Sequence, residues 1–366
     1  MSDTILLNDD CKKILSEIKD QFFQCVITSP PYWQKRKYEV SDLVWNNNDN
    51  CEHSWNVIEY KDPNSSGGFS KKQVTNRGSY FDASVSMFCS KCNAWKGQLG
   101  QEPDYNLYIN NLCSVFDKAK RILRNDGTLF VNIADKMSSK SGGMGLSDRN
   151  RINKGQPKLS KSNNELLDFE QPITNLPDKC QVCVPERFVI EMINRGWILR
   201  NKIIWHKPNQ YPESCKDRFT VDFEYVYFFT KKTKYKFNQQ LEPYTKELNR
   251  WGGNALKADG ESNWSKETGQ DIYRNRKLRP NEEGRNMRCV WSISTKRSGY
   301  KHYASYPEEL VKRLVLAGSS DGDWILDPFS GIATTGLVAR QLNRNYVGVE
   351  LSKKYHNYAK DRLGIK

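Results

Sequence analysis

The sequence predicts an α/β fold in which a mostly parallel sheet is covered by helices on both faces. Seven apolar stretches of strand length occur, and most are separated by segments whose apolar residues recur at helical spacing. This alternation is typical of strands that are joined by crossover helices. The chain has 366 residues, which is enough for one large domain or two ordinary ones.

The N-terminal part of the chain predicts two strands with a helix between them. TILL (4–7) indicates a short strand, CKKILSEI (11–18) an amphipathic helix and QCVIT (24–28) a buried strand. Residues 34–104 are rich in Asn, Ser, Gly and Lys and show little regular pattern. We interpret them as an inserted loop region, because long stretches without clear elements are usually functional or partly mobile.

The remaining elements continue the alternation, apart from two successive strands. Helices are predicted at NLYINNLCSVFDKAKRIL, PERFVIEMINRG, YPEELVKRLVLAGS and TTGLVARQLN, and strands at TLFVNIAD, WILRNKIIWHK, FEYVYFFTKK, DWILDPFS and NYVGVEL. No helical stretch separates the strand that begins at Trp197 from the strand that begins at Phe223. We therefore expect this pair to form an antiparallel hairpin at an edge of the sheet.

A rigid turn with a hydroxyl and two aromatic rings follows the second strand. The turn is SPPYW (29–33), and it comes directly after Thr28. Its two prolines remove two backbone donors and push the preceding residues out of the helical region. The turn would therefore present the Ser29 hydroxyl, the Pro30 carbonyl and the rings in a fixed arrangement. SPPY by itself is also typical of a packed structural turn.

A second turn, LDPFSGIATTG, connects a strand to a helix near the C-terminal end of the chain. Gly331 lies in this turn, and Glu350 ends the following strand. Small residues allow the backbone to approach a ligand, and a carboxylate in this place can accept two ribose hydroxyls. The turn lacks the G-x-G-x-x-G pattern and the lysine of a P-loop, so an ordinary strand–helix turn is the alternative interpretation.

The charge of the chain favours a polyanionic partner. The formal net charge is +14 and the isoelectric point is about 9.2, which points first to nucleic acid and second to an anionic membrane. A solvated basic surface without a partner is the alternative. No apolar run is long enough to span a membrane, and no secretory signal is visible. The ten cysteines therefore predict reduced thiols in a cytoplasmic protein.

The two turns together resemble the motifs of the DNA amino-methyltransferases, which use S-adenosylmethionine. TSPPYW (28–33) is similar to their catalytic motif and DPFSGIATTG (327–336) to their cofactor turn, with Ala333 where the family has a second glycine. HYASYPEELVKRLV, GTLFVNIAD and WHKPNQYPESCKDRFTVDFEYVYFFTK resemble segments of the beta group, in which the catalytic motif comes first.

This resemblance implies a prokaryotic or phage-encoded enzyme with a Rossmann-like, seven-stranded methyltransferase sheet. In that sheet the cofactor strand normally comes first along the chain and the catalytic strand fourth. Here the catalytic strand is second and the cofactor strand sixth. The sheet would then be circularly permuted, with TILL as the third strand of the standard fold. Both motifs would still meet at the carboxyl ends of adjacent central strands.

The resemblance also implies which residues form the active site. The catalytic residues would be Ser29, Pro30, Pro31 and Tyr32. The cofactor-binding residues would be Asp10, Thr28, Asp327, Pro328, Phe329, Gly331, Thr334, Thr335 and Glu350. The Ser29 hydroxyl and the Pro30 carbonyl would accept the two amine hydrogens of a flipped base, and Tyr32 would stack on its ring. The methyl group would then pass directly in line, without a covalent enzyme intermediate.

Serine at the first position of the catalytic motif favours cytosine N4 in this family, whereas Asp or Asn favours adenine N6. We therefore expect a cytosine-N4 DNA methyltransferase, with adenine N6 as the alternative because both amines present the same donors. Enzymes that methylate RNA or protein glutamine also use P-P-Y elements, but they usually place the cofactor turn first. A non-enzymatic alternative is a basic, zinc-containing DNA-binding protein without affinity for the cofactor.

The expected partner is double-stranded DNA, and the resemblance implies a restriction–modification system with a cognate endonuclease encoded nearby. Residues 1–235 would form the catalytic half of the enzyme, 236–300 its target-recognition region and 301–366 its cofactor-binding half. Lys and Arg would hold phosphates or read base edges. The predicted DNA contacts are Trp33, Lys35, Arg36, Arg274, Arg276 and Arg285.

Soft ligands in the inserted region predict one structural zinc. Two close pairs have spacings that tetrahedral zinc accepts, and they resemble a paired insertion in some relatives: Cys51-x-His53 and Cys89-x-x-Cys92. Cys180 and Cys183 could instead complete a four-cysteine site with the second of these pairs. Reduced surface thiols without a metal are the remaining alternative.

Overall fold

The computed structural model describes residues 2–46, 50–56, 87–138, 176–244, 283–295 and 306–365. The strands in these residues, numbered along the chain, are β1 (Thr4–Leu7), β2 (Phe23–Thr28), β3 (Leu43–Trp45), β4 (Trp55–Asn56), β5 (Met87–Cys89), β6 (Trp95–Gly97), β7 (Leu123–Ile133), β8 (Ile198–His206), β9 (Phe223–Thr230), β10 (Leu241–Glu242), β11 (Arg285–Asn286), β12 (Val290–Ser292), β13 (Trp324–Asp327) and β14 (Asn345–Val349).

The helices in the described part of the chain flank the largest sheet. They are α1 (Cys11–Glu17), α2 (Tyr105–Ile122), α3 (Val184–Asn194), α4 (Glu308–Gly318), α5 (Thr334–Gln341) and α6 (Lys353–Leu363). Their predicted positions are confirmed, and α6 comes in addition. None of these described helices is both long and apolar enough to cross a membrane.

The largest sheet has eight strands in the order β1-β14-β13-β2-β7-β9-β8-β12. The seven predicted strands are all present. The catalytic strand β2 and the cofactor strand β13 are parallel neighbours, as the circular permutation requires. TILL, which is β1, pairs in parallel with β14 on the far side of β13. The sheet thus brings the carboxyl ends of β2 and β13 together.

Apolar side chains on both faces of the sheet explain why the central strands read as continuous apolar runs. All six residues of β2 are buried. Val26 packs into a core with α1, α2 and α3, whereas Cys25 and Ile27 face a second core with α4, α5 and α6. Because successive residues of a strand point to opposite faces, β2 supplies both cores at once.

The predicted hairpin is antiparallel, but its position at the sheet edge was wrong. β9 lies between β7 and β8 and pairs antiparallel with both. The short strand β12 then pairs in parallel with β8 and covers that edge, with Trp291 opposite Trp205. β12 has only three residues, which is too short for a periodic pattern to reveal it.

Residues 34–104 were expected to lack regular structure, and this expectation was wrong for their described part. They contain a four-stranded antiparallel sheet in the order β3-β6-β5-β4. Trp45 pairs with Trp95 between β3 and β6, and both rings are buried. These strands have only two or three residues each, so burial of large rings rather than periodicity marks them.

The boundaries of the three predicted parts of the chain stay predictions. Of the predicted target-recognition region, the structure describes 236–244 and 283–295. In these residues β10 and β11 form a small antiparallel pair. β12 belongs to the large sheet, so this region is joined to the catalytic half by backbone hydrogen bonds.

Candidate active site

A cavity of about 840 Å³ opens at the carboxyl ends of β2 and β13. Both sequence motifs line it, together with side chains from the small sheet and from the β7–β9 region. The lining residues include Asp10, Ser29, Pro30, Pro31, Tyr32, Lys35, Trp45, Asn132, Lys207, Glu224, Pro328, Phe329, Gly331, Thr334 and Glu350. The two predicted sites therefore share one cavity.

The catalytic loop SPPYW is fixed by hydrogen bonds to buried residues. Tyr108 of α2 donates its hydroxyl to the Pro31 carbonyl at 2.8 Å. The Trp33 indole donates to the Glu102 carbonyl at 2.9 Å, and the ring is only 2% exposed. We expected Trp33 to contact DNA, but a ring buried in this way fixes the loop instead.

Residues 98–102, which we call the support segment, connect the small sheet to this loop. The Gly100 carbonyl accepts the Gln34 N–H at 2.7 Å, and the Gly100 N–H donates to the Glu102 carboxylate at 2.7 Å. Gly100 has a φ of 90°, and a Cβ there would lie 3.1 Å from the Tyr32 carbonyl oxygen. Burial raises the pKa of Glu102 to about 7. The loop therefore rests directly on the segment that follows β6.

Three polar residues beside the catalytic loop were missed from the sequence. The Tyr32 hydroxyl lies 2.9 Å from Asn132 Oδ1 and 2.8 Å from Glu224 Oε2, and Glu224 is ion-paired to Lys207. Asn132 and Glu224 interrupt the apolar strands VNI and FEYVYFFT. A lone polar residue in a buried strand was the signal that could have indicated them.

The cofactor turn has a left-handed backbone at two positions. Gly331 has a φ of 52°, and Ala333, which precedes α5, has φ 55° and ψ 45°. Ala333 thus adopts the conformation for which the family uses glycine. Glu350 accepts the Gly331 N–H on Oε2 at 2.8 Å and the Ser352 N–H on Oε1 at 2.7 Å. Burial raises the pKa of Glu350 to about 7.

The predicted cofactor residues fall into two groups. Those that line the cavity are Asp10, Pro328, Phe329, Gly331, Thr334 and Glu350. The side chains of Thr28, Asp327 and Thr335 are instead buried beneath the turn. Asp327 accepts the Thr28 hydroxyl at 2.6 Å and the Thr335 hydroxyl at 2.7 Å, and burial raises its pKa. This second group is arranged to hold the turn in shape.

The predicted zinc ligands Cys51, His53, Cys89 and Cys92 lie together. Their ligand atoms are all within 4.8 Å of one another. Cys51 Sγ is 3.9 Å from Cys89 Sγ, and Cys92 Sγ is 3.4 Å from His53 Nδ1. Such separations suit four ligands around one tetrahedral ion with bonds of about 2.0–2.3 Å. Cys180 and Cys183 are not part of this group, so the alternative four-cysteine set is not assembled in the described residues.

Comparison with known proteins identifies the family. A family model described as DNA methylase, of the N6 and N4 type, matches residues 23–361. The chain is a DNA methylase. The type II methyltransferase M.SmaI of Serratia marcescens is 30% identical over 355 residues, which cover 97% of this methylase and 88% of that protein. M.Cfr9I of Citrobacter freundii is 28% identical over 360 residues, which cover 98% and 87%.

Solved structures confirm the fold of the methylase. The PvuII cytosine-N4-specific DNA methyltransferase matches with a TM-score of 0.53 and 15% identity, over 99% of this methylase and 86% of that chain. A putative DNA modification methylase of Thermus thermophilus, TTHA0409, was solved with S-adenosyl-L-methionine. It matches with a TM-score of 0.51 and 18% identity, over 99% and 93%. At these identities the likeness concerns the fold alone.

S-adenosylmethionine is the cofactor of this family, and the residues of the methylase fit it. The cavity is lined by the half-buried carboxylate of Glu350, which accepts the backbone N–H of Gly331 in the cofactor turn. A carboxylate can accept further hydrogen bonds on oxygens that already accept a backbone N–H. The methylase is therefore an S-adenosylmethionine-dependent DNA methyltransferase.

The predicted DNA contacts of the methylase are described in part. Lys35 and Arg36 line the cavity on the exposed side of the catalytic loop. Arg285 donates to Glu242 at 2.8 Å in the small pair of strands β10 and β11. Arg274 and Arg276 lie outside the described residues. All of these DNA contacts stay predictions.

Proposed function

We propose that this methylase transfers a methyl group to the N4 amine of cytosine in duplex DNA. The observation that carries the proposal is the uncharged acceptor pair at the cavity, the Ser29 hydroxyl and the Pro30 carbonyl. Serine is the residue that favours cytosine N4 at this position of the motif. The PvuII enzyme, which is named as cytosine-N4-specific, has a similar fold and supports the same assignment.

The catalytic loop supplies acceptors rather than a nucleophile. Ser29 Oγ and the Pro30 carbonyl accept the two N–H bonds of the target amine, which directs its lone pair toward the methyl group. Tyr32 stacks on the flipped base and replaces the stacking lost from the duplex. Prolines 30 and 31 and the Tyr108 hydrogen bond keep these groups in place before the base arrives. S-adenosylmethionine, when bound, supplies the methyl group.

Some of the cofactor-binding residues contact S-adenosylmethionine, and the others support the cofactor turn from beneath. Glu350 accepts the ribose hydroxyls, and Asp10, Pro328, Phe329, Gly331 and Thr334 complete the surface of the cavity. Thr28, Asp327 and Thr335 hold the turn through buried hydrogen bonds. This division follows from which side chains reach the cavity.

The methylase acts on double-stranded DNA as the modification enzyme of a restriction–modification system with a cognate endonuclease. The type II names of the relatives M.SmaI and M.Cfr9I support this assignment. Lys35, Arg36, Arg274, Arg276 and Arg285 contact the DNA, in line with the net charge of +14. Adenine N6 is the second candidate acceptor, because the matching family joins both base types.

Nucleoside mass spectrometry tests the assignment. DNA from cells that express the methylase should contain N4-methylcytosine, and DNA from cells that express Ser29→Ala should contain far less of it. Calorimetry should show that both proteins bind S-adenosylmethionine equally well, because Ser29 faces the base. N6-methyladenine alone would overturn the base assignment and leave the enzyme class intact. Absence of cofactor binding would favour the non-enzymatic alternative.

A further inference from the structure

A chain of hydrogen bonds runs from the catalytic loop to the neighbouring strands. Ser29 Oγ lies 3.2 Å from the Tyr32 hydroxyl. That hydroxyl lies 2.8 Å from Glu224 Oε2 and 2.9 Å from Asn132 Oδ1. All four side chains line the cavity, and neither Asn132 nor Glu224 belongs to the catalytic motif or to the cofactor turn. The chain therefore connects the acceptor for the base amine to two residues without an assigned role.

The two inner residues determine the direction of this chain. Glu224 is ion-paired to Lys207, so it is a carboxylate with no hydrogen to donate. Asn132 Nδ2 donates to Glu224 Oε2 and to the Tyr225 carbonyl, both at 3.0 Å, which leaves its Oδ1 facing Tyr32. Burial raises the pKa of Tyr32 well above its usual range, so the phenol keeps its proton. Tyr32 must therefore be the donor to these two acceptors.

The direction of the hydrogen bond between Ser29 and Tyr32 follows from the direction of the bonds that Tyr32 makes to Glu224 and Asn132. The Tyr32 hydroxyl has one proton, and that proton points toward Glu224 and Asn132. Its oxygen can then only accept from Ser29, so the Ser29 proton is directed at the Tyr32 oxygen. An unrestrained serine hydroxyl rotates and can also act as a donor, which would oppose the N–H of an incoming amine.

We propose that Glu224 and Asn132 are positioning residues that orient the Ser29 hydroxyl through Tyr32. The Ser29 oxygen then presents lone pairs to the target amine before the base arrives. This deepens the proposed function and rests on it, because Ser29 is the acceptor of the amine N–H there. Tyr32 would have two separate tasks, stacking with its ring and orienting Ser29 with its hydroxyl.

A double-mutant cycle separates orientation from simple packing. Tyr32→Phe keeps the ring and removes the hydroxyl, and it is compared in the Ser29 and Ser29→Ala backgrounds. The probe is tritiated S-adenosylmethionine with amplified, unmodified DNA of mixed sequence, and the readout is the single-turnover rate. Tyr235→Phe is the matched control, because that hydroxyl accepts from Arg200 away from the cavity. This control should leave the rate unchanged.

We expect Tyr32→Phe to lower the rate roughly 10- to 100-fold when Ser29 is present. The same substitution should change the rate less than about twofold after Ser29→Ala, since the hydroxyl acts only through Ser29. Equal losses in both backgrounds, or no loss with Ser29 present, would overturn the proposal. A wild-type rate for Ser29→Ala would instead overturn the acceptor role of Ser29 on which the proposed function depends.

Glu224→Gln supplies a second test. Lys207 can only donate, so it should attract the amide oxygen and turn the amide N–H₂ toward Tyr32 and Asn132, where it meets other donors. The rate constant of transfer should fall roughly tenfold or more. The KM values for cofactor and DNA should change little, because glutamine keeps the size and shape of the side chain that lines the cavity. A normal rate constant in this variant would refute the positioning role of Glu224.

Discussion

At the scale of single residues, we expect the charge of Glu350 to control cofactor binding. Its carboxylate already accepts two backbone N–H groups, and burial raises its pKa to about 7. The ionised form has lone pairs left for both ribose hydroxyls, whereas protonation removes acceptor capacity. Near neutral pH Glu350 is therefore divided between an ionised and a protonated form, and we expect the ionised form to bind the cofactor better.

We predict that affinity for S-adenosylmethionine rises with pH between about 6 and 8. With a pKa of about 7, roughly a tenth of Glu350 is ionised at pH 6, so binding should weaken by up to about tenfold relative to pH 8. Glu350→Gln should bind more weakly at pH 8 and lose this dependence. Calorimetric measurement of the affinity at several pH values tests this prediction. The pH profile of Glu350→Gln serves as the reference, because it contains any contribution from titration of the ligand itself. Parallel profiles for the two proteins would contradict the prediction.

The sequence could indicate the residues of the two motifs but not their division of labour. Ser29, Tyr32 and Glu350 were identified because they stand at strand ends in recognisable patterns. That Thr28 and Asp327 turn away from the cavity depends on how two distant strands pair, which local patterns do not contain. Trp33 was misjudged because an aromatic ring beside lysines looks exposed until its buried partner, Glu102, is known.

At the scale of elements, the catalytic loop rests on the support segment that follows the small sheet, so the position of the loop depends on that sheet. The ligand group of Cys89 and Cys92 lies at the turn between β5 and β6, and β6 leads directly into the support segment. Trp45 of β3 donates to the Gly97 carbonyl at 3.0 Å, which fixes the end of β6. Loosening the group formed by Cys51, His53, Cys89 and Cys92 should therefore loosen the support of the catalytic loop.

We predict one zinc per chain, bound by Cys51, His53, Cys89 and Cys92. Cys89→Ser/Cys92→Ser should lose the metal and lower methyl transfer, whereas Cys180→Ser/Cys183→Ser should keep both. Cofactor affinity should remain within about twofold in each variant, because none of the substituted cysteines lines the cavity. Elemental analysis of protein purified without chelator decides the metal content. Metal retained after loss of Cys89 and Cys92 would reject this ligand set.

Long apolar elements could be predicted from the sequence, whereas very short ones could not. The strands of TLFVNIAD and FEYVYFFTKK are long, mostly apolar runs that match largely buried strands. β4 and β12 have two and three residues, and their existence depends on partners far along the chain. The hairpin was placed at an edge because nothing near Val290 indicated a further strand.

At the scale of the whole molecule, strands from the N-terminal and C-terminal parts of the described chain lie side by side in the large sheet. β13 and β14 lie between β1 and β2, so the cofactor-binding half is enclosed by strands of the catalytic half. Asn8 Nδ2 donates to the Glu350 carbonyl at 2.7 Å. The two halves cannot separate without breaking the backbone hydrogen bonds between β1 and β14 and those between β13 and β2.

We predict that the large sheet unfolds in a single thermal transition. S-adenosylmethionine at about 100 times its Kd should add about 2.7 kcal/mol and move the whole transition upward. Scanning calorimetry with and without cofactor measures this, and a matched scan of Glu350→Gln should show a smaller shift. Two transitions, of which only one responds to the cofactor, would show that the halves unfold independently.

Because β1 pairs with β14, the large sheet cannot be completed until the ribosome has synthesised β14. Asn8 and Glu350 are separated by 342 residues. A ribosome that adds about 5–20 residues per second needs roughly 17–70 s to make that stretch. During this time Thr4–Leu7 lacks its partner strand β14, and the cavity lacks the Glu350 carboxylate. A nascent chain is therefore expected to be catalytically silent until β14 and Glu350 have been synthesised and can join the sheet.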